Sequence, residues 1–218
     1  MLQRVLEPEV MDSAAEAHDY DAMDHSAVNR VFVADFLALK PDVGRVLDVG
    51  AGTAQIPLQL CQESLVAHVL AIDLAEHMLA VGRSNVQRAQ LTKRVQLERI
   101  DAKQLPYPDA AFSAVISNSI VHHIPEPARV LAEMVRVAKP GAVLLVRDLL
   151  RPPDDNAVQH LVNTYAGDAN PHQRQMFEDS LRAALTLAEI RAMVKELGFA
   201  PSSVQATSDR HWTWSARK

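Results

Sequence analysis

The 218-residue chain has a single cysteine, Cys61, so it can form no internal disulfide and offers no cysteine cage for a metal. Glycine is sparse at 7 residues and aromatics make up only 5%, which excludes collagen-like classes. Long apolar runs are also missing. Stretches such as 142–146 and 114–116 end far short of the roughly 20 residues a membrane-spanning helix needs. Residues 1–10 carry Arg4, Glu7 and Glu9 and lack the apolar core of a signal peptide, so a cytoplasmic location is expected. Finally, no cluster of lysine and arginine forms a basic stripe. The net charge is −5, and residues 1–29 hold seven acids against Arg4 alone, so nucleic acid is not an expected partner.

With 48% hydrophobic and 22% charged residues, the chain reads as one globular α/β domain over 1–218. From Gly44 onward, β-branched runs at 45–49, 68–72, 95–100, 112–117 and 142–148 alternate with helical patterns near 56–62 and 76–90 and a helix opened by Pro127. That alternation predicts a mostly parallel sheet with helices on both faces. Pro140-Gly141 is expected to turn the chain into the fifth strand. Thr186 and Glu189 form a capping box ahead of a helix that stops at Gly198. Runs at 203–207 and 210–215 predict a terminal antiparallel hairpin, with Trp212 and Trp214 on its core side. Upstream, Val28, Val31, Phe32, Phe36 and Leu39 share one face of a leading helix expected to pack on the sheet.

The chemistry-bearing signal is Asp48-Val49-Gly50-Ala51-Gly52, a strand that runs into a Gly-x-Gly loop and then a helix. Glycine there permits a tight turn and close ligand approach to helix N–H groups. The second strand ends at Asp73, 21 residues after Gly52, where a carboxylate can accept hydrogen bonds from both hydroxyls of a ribose. Gln55 replaces the third glycine of a dinucleotide loop, and Asp48 would repel a pyrophosphate, which argues against a nicotinamide oxidoreductase. With Asp101 after the third strand, three carboxylates suit a cationic, hydroxyl-rich ligand such as S-adenosylmethionine.

Together with Asp101-Ala102, Asn118-Ser119-Ile120-Val121-His122-His123-Ile124 and Arg136-Val137-Ala138-Lys139-Pro140-Gly141, these segments resemble the successive motifs of class I S-adenosylmethionine-dependent methyltransferases, in the small-molecule branch of the quinone-biosynthesis enzymes. The resemblance spans about 28–199. It implies a Rossmann-like, seven-stranded fold and methyl transfer to a small-molecule acceptor. A cofactor-binding relative that does not methylate fits the same motifs. The resemblance further implies that Asp48 is a cofactor-binding residue, that the Gly50, Ala51, Gly52 loop meets the methionine end and that Asp73 meets the ribose. Leu74 would cover the adenine face, Asp101 and Ala102 its edge, and Ser117 with Asn118 would line the methionine end. Residues 1–40 would supply a lid that carries Tyr20, and 151–185 a substrate cap.

Three readings stay open at this level. His122 and His123 follow the fourth strand, where an imidazole can act as general base or simply build a turn. Arg147, at the end of the fifth strand, can clamp an acidic substrate group or serve a structural ion pair. Tyr165, with Asn170, His172, Gln175 and Phe177, can read the substrate or lie on a surface loop. The oligomeric state is not legible, and the activated methyl group calls for no metal.

Overall fold

The computed structural model describes residues 2–7 and 13–218. Its sheet contains β1 (Val46–Val49), β2 (Val69–Asp73), β3 (Val95–Arg99), β4 (Phe112–Asn118), β5 (Ala138–Leu149), β6 (Val204–Ala206) and β7 (His211–Arg217). Their spatial order is β3-β2-β1-β4-β5-β7-β6. The first five run parallel, and β7 pairs antiparallel with both β5 and β6. This is the expected Rossmann-like sheet with its terminal hairpin. The chain winds outward through β1, β2 and β3, then returns to lay β4 on the other side of β1. Ligands bind at such a reversal, beyond the carboxyl ends of the strands.

Between the strands run α1 (Ala14–Ala22), α2 (Ser26–Ala38), α3 (Gln55–Glu63), α4 (Glu76–Arg88), α5 (Pro127–Val137), α6 (Asp155–Tyr165), α7 (Pro171–Ala183) and α8 (Leu187–Glu196). The central strands β1 and β4 and the second half of β5 are buried on both faces, so they read as nearly continuous apolar runs, whereas the edge strand β3 is largely exposed. On one face Val46, Ala71 and Val143 pack against Phe32, Val33 and Phe36 of α2 and Leu60 of α3. On the other, Leu47, Val115 and Leu144 meet Val130, Leu131 and Met134 of α5 and Ile190 and Val194 of α8. Trp212 and Trp214 are buried in that second layer, as their alternation predicts.

Two expectations are corrected. The buried face of α2 is Asn29, Phe32, Val33 and Phe36, whereas Val28 and Val31 are exposed. The helix is rotated because Asn29 turns inward to donate to Gln55 Oε1 at 3.1 Å. The fifth strand begins at Ala138, and Pro140-Gly141 lies within it: Phe112 pairs with Ala138 and Ala114 with Val143, so β5 bulges there, with Gly141 at φ +81°. Residues 151–185, the least regular part of the sequence, fold largely into α6 and α7. Asp154 caps the first by accepting from Ala157 N, and an Asn170–Gln173 capping box opens the second.

Candidate active site

A pocket opens where the carboxyl ends of β1 to β4 meet. Gly50 and Gly52 border it from the first loop, Asp73, Leu74 and Ala75 from the second, and Asp101 with Ala102 from the third. Asn118, Ser119, Ile120 and His123 close it from the fourth, and Tyr20 of α1 covers it. The residues expected to hold a cofactor therefore largely converge, although they come from four loops spread over roughly 70 residues of sequence.

Local chemistry explains the loop. Gly50 has φ +77°, and a Cβ added to it would stand 2.3 Å from Ile120 Cδ1. Gly50→Ala is expected to lower stability by about 2 kcal/mol and to weaken ligand binding, because both backbone strain and overpacking oppose it. Thermal melts with and without ligand check this. The Asp73 carboxylate accepts from Gly52 N at 2.8 Å and from Ala75 N at 2.9 Å, which ties the loop after β1 to the end of β2. Ala54, at φ +66°, holds the left-handed conformation that a glycine would take without strain. Asp101 accepts from Lys103 N at 2.9 Å and pairs with its ammonium at 3.1 Å; burial opposes ionisation, but these contacts hold its carboxyl below the ordinary range.

Behind the loop, Asp48 is buried and one of its oxygens has no hydrogen-bond partner. Burial, reinforced by the charge of Asp73, pushes its carboxyl up to about 8. Tyr20 is pushed up to about 12 by burial and by Asp73, Asp48 and Asp21. The pocket and the space behind its loop thus gather three carboxyl groups, of which Asp48 is held largely protonated at neutral pH. Ser117 does not border the pocket; its hydroxyl donates to Val49 O at 2.8 Å and clips β4 to β1. Ala51 is likewise buried beside the loop.

Helix α1 has anchors that no motif announced. Asp21 accepts from Asn85 Nδ2 of α4 at 2.9 Å and from Gln55 Nε2 of α3 at 3.3 Å. Gln55, read from the sequence only as a missing glycine, therefore fastens α1 over the pocket.

On the opposite wall, His122 and His123 form a 3₁₀ turn, Val121–His123, after β4. His123 borders the pocket, whereas His122 is buried behind it with Nδ1 2.5 Å from Asp148 Oδ1 at the end of β5. Burial pulls the His122 imidazole down, but Asp148 outweighs it, so the group sits above its ordinary value. His123 is pushed down to about 3 by burial and by His122, so it stands neutral.

The remaining substrate candidates lie elsewhere. Arg147 pairs with Asp35 at 2.6 Å, donates to Thr213 and covers the Phe32 ring, the structural alternative raised for it. Tyr165 is exposed, donates to Asp209 at 2.6 Å and stacks under the Arg210 guanidinium. Asn170 caps α7, Gln175 donates to Asp179, and Phe177 packs beside Val158 and Leu181. Neither these residues nor His172 border the pocket.

Residues 47–146 match the family described as "Methyltransferase domain". A demethylmenaquinone methyltransferase from Listeria monocytogenes is 33% identical over 165 residues, which cover 71% of this chain and 69% of that enzyme. The chain belongs to the S-adenosylmethionine-dependent methyltransferases. The methyltransferase is also 27% identical, over 80% of its length, to a 27-O-demethylrifamycin SV methyltransferase from Amycolatopsis mediterranei, of which it spans 61%. In fold it resembles an S-adenosylmethionine-dependent methyltransferase from Methanococcus maripaludis, with a TM-score of 0.73, 16% identity and 98% of each chain covered.

The pocket fits the family's cofactor on its own terms. An unpartnered carboxylate oxygen on Asp48 and the Asp73 carboxylate suit a ligand that bears a sulfonium, an ammonium and ribose hydroxyls, and the Gly50 turn brings backbone close to it. Among the described residues, no helix is long and apolar enough to cross a membrane.

Proposed function

We propose that this methyltransferase moves the methyl group of S-adenosylmethionine to a small-molecule acceptor, and that residues 1–218 act as one catalytic domain. The observation that carries the reading is one pocket bordered on one side by Gly50, Gly52, Asp73 and Asp101 and on the other by His123. Relatives named for demethylmenaquinone and a demethylated rifamycin favour a small-molecule acceptor over a macromolecule.

The cofactor supplies an already activated methyl electrophile, so the protein's work is alignment and exclusion of water. Asp73 would accept from the ribose, Leu74, Asp101 and Ala102 would frame the adenine, and Asn118 with the Gly50 loop would seat the methionine end. Tyr20, pinned through Asp21, would shut the pocket to solvent. Residues 151–185 would cap the acceptor through α7, whose Ser180 reaches Glu7 beside the histidine turn. His123, held neutral, would take the hydrogen bond of the acceptor's O–H or N–H.

Calorimetry with S-adenosylmethionine and S-adenosylhomocysteine tests the reading, with binding of both expected in about the micromolar range. Failure to bind either would overturn it. His123→Ala is expected to slow turnover about a hundredfold and to leave affinity for S-adenosylhomocysteine unchanged. An unaltered rate with the true acceptor would remove His123 from the chemistry.

A further inference from the structure

Glu7 reaches across from the N-terminal segment to the histidine turn, and it does so through tightly specified contacts. Arg4 donates to the carbonyls of Ala183, His122 and Ile124, and Leu2 N and Val5 N donate to Pro153 O and Arg182 O. Glu7 is thereby held with its Oε1 3.1 Å from His123 Nδ1 and 3.5 Å from His122 Nε2. The three ligand atoms all lie within 4.8 Å of one another. Ser180 completes the surroundings, donating to Glu7 Oε1 at 3.1 Å and Oε2 at 3.4 Å.

An ordinary pair of hydrogen bonds explains this cluster poorly. His123 Nδ1 is buried and, despite its 3.1 Å approach to the carboxylate, has no hydrogen-bond partner. Burying an imidazole nitrogen unpartnered is costly, and such groups call for an explanation. The two carboxylate–imidazole spacings match the edges of a coordination polyhedron instead: ligands about 2.05 Å from a tetrahedral zinc ion lie about 3.3 Å from each other. His122 has the second feature of a metal ligand, because its far nitrogen is locked by the Asp148 carboxylate at 2.5 Å. Asp148 is itself fixed, accepting from Val121 N at 2.5 Å and Leu149 N at 2.6 Å.

We propose that Glu7, His122 and His123 form a divalent transition-metal site, with zinc as the fitting ion, whose fourth position opens to the pocket beside His123. Two imidazoles and one carboxylate with an open position suit such a hydrolytic or Lewis-acid metal. The sequence offered no ligand spacing for it, because Glu7 lies 115 residues before His122. On the methyl-transfer reading, on which only this consequence rests, a metal there would take the place of the His123 imidazole in activating the acceptor, since Nδ1 would then ligate and Nε2 carry the proton; it would lower the pKa of the acceptor's hydroxyl, whose proton leaves to solvent.

The test uses the full chain without an affinity tag, stripped with chelator and titrated with Co²⁺. One equivalent is expected to bind and to give the intense visible absorption of low-symmetry, four- or five-coordinate cobalt, which Zn²⁺ then bleaches. Glu7→Gln and His123→Ala are expected to weaken binding at least about a hundredfold, and Asp148→Asn about 10–100-fold by loosening His122. His160→Ala, at an exposed histidine, should change nothing. Melting curves of the variants identify any that fail to fold, and Glu7→Gln is the one least exposed to that objection. A wild-type spectrum no different from that of folded Glu7→Gln would overturn the site. S-adenosylhomocysteine calorimetry on the same samples separates the two readings: metal binding without nucleoside binding refutes the function and keeps the site, and the reverse refutes only the site.

Discussion

Asp73→Ala is expected to lower affinity for S-adenosylmethionine at least about a hundredfold, to below calorimetric detection. The carboxylate holds Gly52 N and Ala75 N, and so shapes the loop before any ligand arrives. In the cofactor reading it also accepts from the ribose hydroxyls. Hydrogen bonds to a charged group contribute about 1.5–3 kcal/mol each, and losing two corresponds to roughly a hundredfold or more. The same substitution should destabilise the free protein by about 1–2 kcal/mol, since two backbone donors near helix starts lose their acceptor. Asp73→Asn separates the effects. It keeps one acceptor oxygen but sets an NH2 against the other backbone N–H, so the melting temperature should recover only in part while affinity stays well below wild type. Calorimetric affinities for Asp73→Ala and wild type that coincide would remove Asp73 from ribose recognition.

The sheet was legible because its signals are local. β1 to β4 announce themselves by apolar runs that end in polar residues, and the Thr186–Glu189 box marks α8 within four residues. The cofactor side was legible for the same reason: Gly50, Gly52, Asp73 and Asp101 sit at strand ends, and the topology of a parallel sheet delivers strand ends to one edge. What failed was set by contacts between distant segments. The orientation of α2 depends on Asn29 meeting Gln55, a pairing no periodicity shows. Arg147 could not be assigned without Asp35, 112 residues away, nor Tyr165 without Asp209. Glu7 looked like one more acid in an acidic tail until the chain carried it to His122 and His123. The N-terminal box of α7 was readable in Asn170-Pro171-His172-Gln173, and so was the helical spacing of Val158, Leu161 and Val162 with Phe177 and Leu181, which pack together only once α6 meets α7.

Asp48→Asn is expected to make the protein more stable and a worse binder, and the pH dependence of both effects identifies the cause. Burial and Asp73 hold the Asp48 carboxyl at about 8, whereas in the unfolded chain it titrates near 3.9. Below pH 4 the group is protonated in both states and contributes no pH dependence. Between pH 4 and pH 8 the unfolded chain is ionised and the folded one is not, so folding takes up a proton and stability falls as pH rises. Asparagine cannot ionise. The variant should therefore match wild type at pH 4 and exceed it at pH 7 by on the order of 4 kcal/mol, read from denaturant melts at the two pH values. Binding a cation next to Asp48 favours the ionised carboxylate, so wild-type affinity should climb between pH 6 and pH 8 with release of a proton, detected as a buffer-dependent enthalpy. Asp48→Asn should bind more weakly, with no such climb. Identical stability curves for the two proteins from pH 4 to pH 8 would show that Asp48 is an ordinary carboxylate, and would remove it as the partner of the ligand's cationic end.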